Sequence, residues 1–375
     1  MATKKIEVIF LHCDQGMGTL VKIYNGLNQV TNLALLDLGS ESGTKKYSDT
    51  ALDLVMRALD QMKASKITPR IQLLLVSHQD TDHWSLLPDL KTRITNRFPD
   101  FELGEIYYGG LGWKKRASKA IIDWEKEFNV TAEAFSREES DFRKPGKLDE
   151  FAEINDVKFH LLCANVPISR SADDLERNGT SAVVAIEFAR VFVVIPGDAT
   201  ADTCGWMNDH IFSVWKKKGK GNPVHPCRAM GAPHHGALRT IADNFTATKA
   251  KLKIAEEFAK NISAGNVVAS AGWYSKFKHP YKEVLELLAV NVDHDVDEHG
   301  LVWYNGNLEK WEHVKDVKRG VFTTITTLGD PPKRTGWIFA INPAGDIEFF
   351  VDFEQAEIIP PYERSDRYPA IARKG

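Results

Sequence analysis

Cysteine is scarce in this chain. There are four in 375 residues, Cys13, Cys163, Cys204 and Cys227, with no CxxC pair and no dense spacing. That excludes a disulfide-dense scaffold and suits free thiols in a reducing compartment. Excess positive charge is missing too. Lys and Arg number 48 against 51 Asp and Glu, a formal net charge of −3. No global field therefore advertises nucleic-acid binding, and any such role needs a local patch. No apolar run approaches the roughly 20 residues that span a bilayer. The opening stretch has two lysines and then Ile6 to Leu11, interrupted by Glu7. It is too short and too mixed for a signal peptide. A soluble cytoplasmic protein with no membrane partner is expected. Internal repeats and low-complexity tracts are absent as well. What remains is an ordinary globular mix, 43% apolar and 26% charged, long enough for one large domain or two ordinary ones.

The patterning alternates between strand and helix. Ile6 to Cys13, Leu20 to Tyr24 and Leu33 to Leu38 are apolar and β-prone, with turns at Gly16 to Gly18 and Gly39-Ser40. Leu52, Val55, Leu59 and Met62 lie on one face of a helix over Asp49 to Lys63. Ile71 to Val76 is a buried-type strand. Helices are expected over Trp84 to Arg97 and Ser118 to Phe128, with a strand at Ile106 to Tyr108. Residues 131–156 are charged and irregular and read as a surface insertion. Strands return at Val157 to Cys163, Ser181 to Phe188, Arg190 to Ile195, Arg228 to Met230 and Asn266 to Ser270. A helix over Pro280 to Leu288 follows, then strands at Gly320 to Thr326, Trp337 to Asn342 and Ile347 to Asp352. This order predicts a layered α/β (α+β) domain whose sheets are covered by helices. It spans residues 1–355 as one domain, with a C-terminal tail from 356 to 375.

The densest chemistry is His78-Gln79-Asp80-Thr81-Asp82-His83, directly after the buried run Ile71 to Val76. Imidazole and carboxylate are ligands for Zn, Mn and similar divalent ions. A loop at the carboxyl end of a strand is a standard place for a site. Asp80 and Asp82 repel each other unless a cation stands between them. Two other strand ends repeat the setting. Val191 to Ile195 runs into Pro196-Gly197-Asp198, and Arg228 to Met230 runs into Pro233-His234-His235-Gly236. Together they point to a metal site.

These motifs resemble the metallo-β-lactamase-fold hydrolases, and most closely the soluble hydrolase domain of ComEC-type competence proteins. His78-x-Asp80-x-Asp82-His83, Gly197-Asp198 and His234-His235-Gly236 carry the resemblance. Gln15-Gly16, Asn178 to Ser181, Ser270-Ala271-Gly272 and His279-Pro280 add to it. It implies a four-layer αβ/βα sandwich with one or two divalent ions, Zn or Mn, at one edge. The implied metal ligands are His78, Asp80, Asp82, His83, Asp198 and His234, with Asp198 bridging if two ions bind. Asp82 would orient the nucleophilic hydroxide, and His235 or His279 would serve the leaving group. Three departures stand out. Trp84-Ser85-Leu86 replaces the usual Gly-Gly after His83, and Ala237-Leu238 stands where Ser and Lys are common. The third His of many relatives has one candidate, His160, which reads more readily as a strand residue.

The function implied is hydrolysis of a phosphodiester, in nucleic acid or a nucleotide, by a metal-activated water. Two alternatives stay open: hydrolysis of a small ester, lactam or thioester, and a metal-stabilised scaffold or sensor in a multi-protein system. Two basic loops, Trp113 to Arg116 and Lys216 to Lys220, are candidates for holding a phosphate backbone.

Overall fold

The computed structural model describes residues 2–41, 45–135, 149–166, 178–212, 226–238, 242–243, 246–247, 249–270, 272, 278–294, 296–328, 335–354 and 371–372. The basic loop at Lys216 to Lys220, Ala271, residues 136–148 of the expected insertion and most of the tail lie outside them.

The chain opens with β1 (Lys5–Phe10), β2 (Gly18–Tyr24) and β3 (Val30–Leu38). Then come α1 (Lys45–Ala64), β4 (Arg70–Val76), the short α2 (Thr81–Trp84), α3 (Leu87–Arg97), β5 (Glu102–Tyr108), α4 (Lys115–Phe128) and β6 (Ala132–Ala134). The second half begins with β7 (Asp149–Ile154), β8 (Val157–Cys163), β9 (Val183–Phe188), β10 (Val191–Ile195), α5 (Ala201–Met207) and β11 (Cys227–Gly231). It continues through β12 (Ala242–Asp243), β13 (Thr246–Ala247), α6 (Lys249–Ile262), β14 (Val267–Ala269) and α7 (Lys282–Leu288). It closes with β15 (His299–Asn305), β16 (Lys310–Val317), β17 (Val321–Thr323), β18 (Thr335–Ile341), β19 (Ile347–Glu354) and β20 (Ile371–Ala372).

Two large sheets result. One has the order β20-β19-β18-β1-β2-β3-β4-β5-β6 and the other β17-β14-β11-β10-β9-β8-β7. Alternation along the strands sets the layers. Ile6, Val8, Val21 and Ile23 of the first sheet meet Val184, Ile186 and Val193 of the second in a shared core. The other face of the first sheet, through Ile9, Leu20, Leu35 and Leu74, packs on Leu52 and Leu59 of α1, Ile94 of α3 and Trp124 of α4. The other face of the second, through Val183, Phe192 and Val194, packs on Met207 of α5, Phe258 of α6 and Leu285 of α7. Each such buried apolar side chain contributes about 1.5–3 kcal/mol. This is the expected four-layer αβ/βα sandwich.

Some boundaries differ from expectation. The helix expected over Trp84 to Arg97 is broken at Ser85-Leu86, where Leu86 N–H donates to the Leu38 carbonyl at 3.2 Å. The expected insertion contributes edge strands at 132–134 and 149–154, one to each sheet. A two-stranded ribbon, β15 with β16, joins β17 and α7 outside both sheets. Among the described residues no helix is long and apolar enough to cross a membrane.

Candidate metal centre

The centre lies where three strands end. β4 is buried along its last residues and delivers Ser77 and His78. The following turn, α2, is pinned from below by the loop after β3. A Cβ on Gly39 would lie 2.4 Å from the Asp82 carbonyl carbon, so only glycine lets the two backbones touch. Trp84 Nε1–H donates to the Gln79 carbonyl at 2.9 Å and Ser85 Oγ–H to the Ser40 carbonyl at 2.8 Å. These bonds close the turn.

β10 delivers Asp198 through Gly197, at φ +51, whose missing Cβ would lie 2.3 Å from Ser181 Oγ. Ser181 Oγ in turn accepts the Asp198 N–H at 3.2 Å. β11 delivers His234 and His235, both in the left-handed region at φ +47 and +55. Each such non-glycine residue costs about 1–2 kcal/mol, a strain the surrounding structure maintains. The result splays the two adjacent rings, with centroids 6.3 Å apart, to either side of Asp198.

Asp198 is the hub. Its Oδ1 lies 3.1 Å from His83 Nε2 and 3.6 Å from His235 Nε2. Its Oδ2 lies 3.6 Å from His78 Nε2 and 3.5 Å from His234 Nε2. Asp82 Oδ2 adds to the first set, 3.1 Å from His235 and 3.9 Å from His83. Asp80 Oδ2 adds to the second, 3.7 Å from His78. Ligands about 2.1 Å from one tetrahedral ion stand about 3.4 Å apart. Most of these separations match that edge and are too long for good hydrogen bonds. Asp82, His83, Asp198 and His235 each offer an atom within 4.8 Å of all the others.

The donor atoms also lack other work. His78 Nε2, His83 Nε2 and Asp198 Oδ1 are buried and have no hydrogen-bond partner among the described residues. Such groups are costly unless something satisfies them. The far sides of the His83 and His235 rings are anchored. His83 Nδ1 lies 2.9 Å from Asp37 Oδ2, and His235 Nδ1–H donates to the Ser270 carbonyl at 2.9 Å. Asp37 also accepts from Ser77 N–H at 2.6 Å and Ser77 Oγ–H at 2.8 Å. With Nδ1 protonated, each Nε2 lone pair faces carboxylate oxygen, and a proton or a cation must stand between. The residues present therefore fit divalent metal.

Electrostatics tell the same story. Burial alone would pull His83 down, but Asp198, Asp37 and Asp82 hold it well above the usual histidine range. Burial likewise opposes, and Asp82 and Asp198 outweigh it, at His235, which is raised. Asp82, pushed up by burial but pulled down more by His83 and His235, falls to about 2. Asp198 is held well below the carboxylate range against its burial by His234 and His83. His234 is lowered by burial and by His235, with Asp198 opposing. His279 is lowered strongly, by burial and then by His235 and His234.

Each sequence-derived candidate can now be placed. His78, Asp80, Asp82, His83 and His234 gather around Asp198. His235, read as a leaving-group residue, instead shares the tight cluster with Asp82 and His83. His279 stacks on His235, with centroids 5.5 Å apart and planes 7° apart, and its Nε2 lies 2.6 Å from Gln15 Nε2. His160 pairs with Glu187 at 2.7 Å across β8 and β9 and sets its ring edge-on to Phe192. The sequence reading misses Asp37 and Ser77. The signal for Asp37 is a lone carboxylate in the apolar run Leu33 to Leu38.

No family profile matches the chain, and no curated protein matches it. Among solved structures it is similar to the metallo-beta-lactamase fold protein YhfI from Bacillus subtilis, at TM-score 0.40 and 12% identity, over 77% of this chain and 94% of that one. Unliganded yeast PDE1 overlays at TM-score 0.43 and 9% identity, over 76% of this chain and 93% of that one. Human tRNase Z, short form, overlays at TM-score 0.36 and 14% identity, over 71% and 93%. At this similarity the overlaps speak to neither activity nor ligands.

Proposed function

We propose that the protein is a metal-dependent phosphodiesterase with two divalent cations, Zn or Mn, astride Asp198. One observation carries the reading. A single buried carboxylate presents each of its oxygens to a different pair of histidines, with a further aspartate on each side. Four imidazoles, three carboxylates and so many unsatisfied atoms make no sense as a packed core. When bound, the cations lower the pKa of water and offset charge on the phosphoryl oxygens.

The chain's own residues do the rest. His78, Asp80 and His234 would hold one cation together with Asp198, and Asp82, His83 and His235 would hold the other. Asp37 and the Ser270 carbonyl fix the tautomers of His83 and His235. Asp82 orients the attacking water. His279 is kept neutral by its surroundings, and Gln15 donates to its Nε2, so the ring offers a hydrogen bond at Nδ1 rather than an acidic proton. The ComEC-type motif favours phosphodiesters over carboxylic esters as the substrate class.

The test is hydrolysis of bis(p-nitrophenyl) phosphate beside p-nitrophenyl acetate, with and without chelator. Diester turnover should vanish on chelation, return with Mn or Zn, and fall by about 10²–10³ in Asp82→Ala. Turnover that survives chelation, or that is confined to the acetate, would rule the reading out.

A further inference from the structure

The four imidazoles of the centre differ in what meets their Nε2 atoms. His78 Nε2 and His83 Nε2 have no hydrogen-bond partner among the described residues, and His235 Nε2 faces the Asp82 carboxylate at 3.1 Å. His234 Nε2 instead lies 3.1 Å from Nδ2 of Asn178, a neutral side chain on a residue only 5% exposed. An amide nitrogen donates and does not accept, so the lone pair of His234 is the acceptor. A cation at His234 needs that same lone pair. His234 Nε2 is also 3.5 Å from Asp198 Oδ2. Asn178 therefore competes with metal for one nitrogen of the hub.

The turn that carries Asn178 is fixed from several sides. The Asn178 carbonyl accepts Ser181 N–H at 3.0 Å, and Ser181 Oγ accepts Asp198 N–H at 3.2 Å. The Gly179 carbonyl accepts Thr203 Oγ1–H from α5 at 3.1 Å, and Thr180 Oγ1 accepts Leu111 N–H at 3.1 Å. Turn and hub are thus tied together through Ser181. A cation that takes His234 Nε2 deprives the Asn178 N–H of that acceptor without moving the turn. A buried donor is costly unless another oxygen meets it. The oxygens that arrive with the cation are those of the ligand it binds, where charge builds during hydrolysis.

We propose that Asn178 gates the Oδ2 side of the hub. Its amide holds His234 until a cation takes the nitrogen, and the released N–H then donates to an oxygen of the bound phosphodiester. The second half rests on the phosphodiesterase reading, and the experiment separates the two. Calorimetric titration with Mn reads the gate, with melting temperature in chelator as the check on folding. Asn178→Ala should bind Mn about 2–10-fold more tightly at the weaker step, the worth of one hydrogen bond that no longer has to be broken. The tighter step should not move. Turnover of bis(p-nitrophenyl) phosphate at saturating Mn reads the donor. In Asn178→Ala kcat should fall about 10²-fold with KM nearly constant, as for an interaction made only in the transition state. Asn178→Asp keeps the shape but replaces the donor with an acceptor. It should bind Mn more tightly still and stay as slow. A merely structural role gives the opposite sign, weaker Mn binding together with slower turnover, and that result overturns the proposal. Parental Mn affinity in both variants, or parental turnover in Asn178→Asp, overturns it too. If the parent protein does not hydrolyse the diester, the phosphodiesterase reading and the donor role fall together, while tighter Mn binding by Asn178→Ala still upholds the gate.

Discussion

The two sides of Asp198 are built differently. The Oδ1 side is compact and fully braced. Its histidines are 0–1% exposed at their side chains, and Asp37 and Ser270 hold their far nitrogens. The Oδ2 side is looser. Asp80 is 24% exposed at its side chain, and His234 Nε2 accepts a bond from Asn178 Nδ2 at 3.1 Å, which a metal must displace. Bracing fixes donors in advance of the ion, and preorganisation of that kind raises affinity. On the two-cation proposal, the comparison predicts that the braced position would bind its ion more tightly and the other would exchange.

The largest effect should come from the shared residue. Asp198→Ala removes a donor from both sides at once. Turnover of a phosphodiester should fall by on the order of 10³ or more, and the rise in melting temperature on adding Mn should disappear. Loss of one metal equivalent only, with a residual melting shift, would mean that Asp198 belongs to one side.

Asp37→Ala tests the brace. It strips His83 and both Ser77 groups of their acceptor, leaving buried donors that cost about 1–3 kcal/mol each. Metal affinity at the tight position should fall about 10–100-fold. The weaker binding step in a calorimetric titration should stay where it is. Equal weakening of both steps would erase the distinction between the sides.

Protons compete with metal mainly on the tight side. Without a cation, His83 and His235 titrate above the usual range. A raised folded pKa stabilises below the unfolded value, about 6.5, and that stability is lost as pH rises through the folded value. Asp82, at about 2, and Asp198, lower than usual, act in the other sense. Their contribution is present above about pH 4 and fades as pH falls through their folded values. The chelated protein should therefore melt highest between about pH 4 and 6.5. Metal needs both imidazoles neutral, so the melting shift it produces should grow as pH rises beyond that window. Melting curves in chelator and in Mn across pH should diverge; parallel curves would show that protons and metal do not share these nitrogens.

The smallest effect is expected outside the hub. His160→Ala should leave metal content unchanged and cost about 1–3 kcal/mol, since the bond between the imidazole and Glu187 is lost. Metal analysis and a denaturant titration together decide this.

Much of this was legible in sequence, and the exceptions have physical causes. The His and Asp residues that follow three strand ends in sequence are the ones the fold gathers around Asp198, because an apolar run predicts a buried strand and its end predicts where polar groups emerge. Sequence cannot separate His234 from His235. They are neighbours, and only two successive left-handed residues send them to opposite sides. Asp37 and His83 lie 46 residues apart and meet only once β3 and β4 pair in parallel. The ribbon of β15 and β16 is not legible in sequence because Lys310–Val317 is partly exposed and charged at several positions, so no apolar alternation marks it. In α6 the helical spacing lies in Ala255, Phe258, Ala259 and Ile262, amid charged and polar neighbours.

The central claim is that one carboxylate joins two metal positions. Electron paramagnetic resonance of the protein loaded with two equivalents of Mn tests it most directly. Ions bridged by Asp198 at about 3.5–4 Å should give a spin-coupled spectrum, which His234→Ala should convert to that of a single ion. A six-line spectrum of isolated Mn in the fully loaded parent protein would contradict the account.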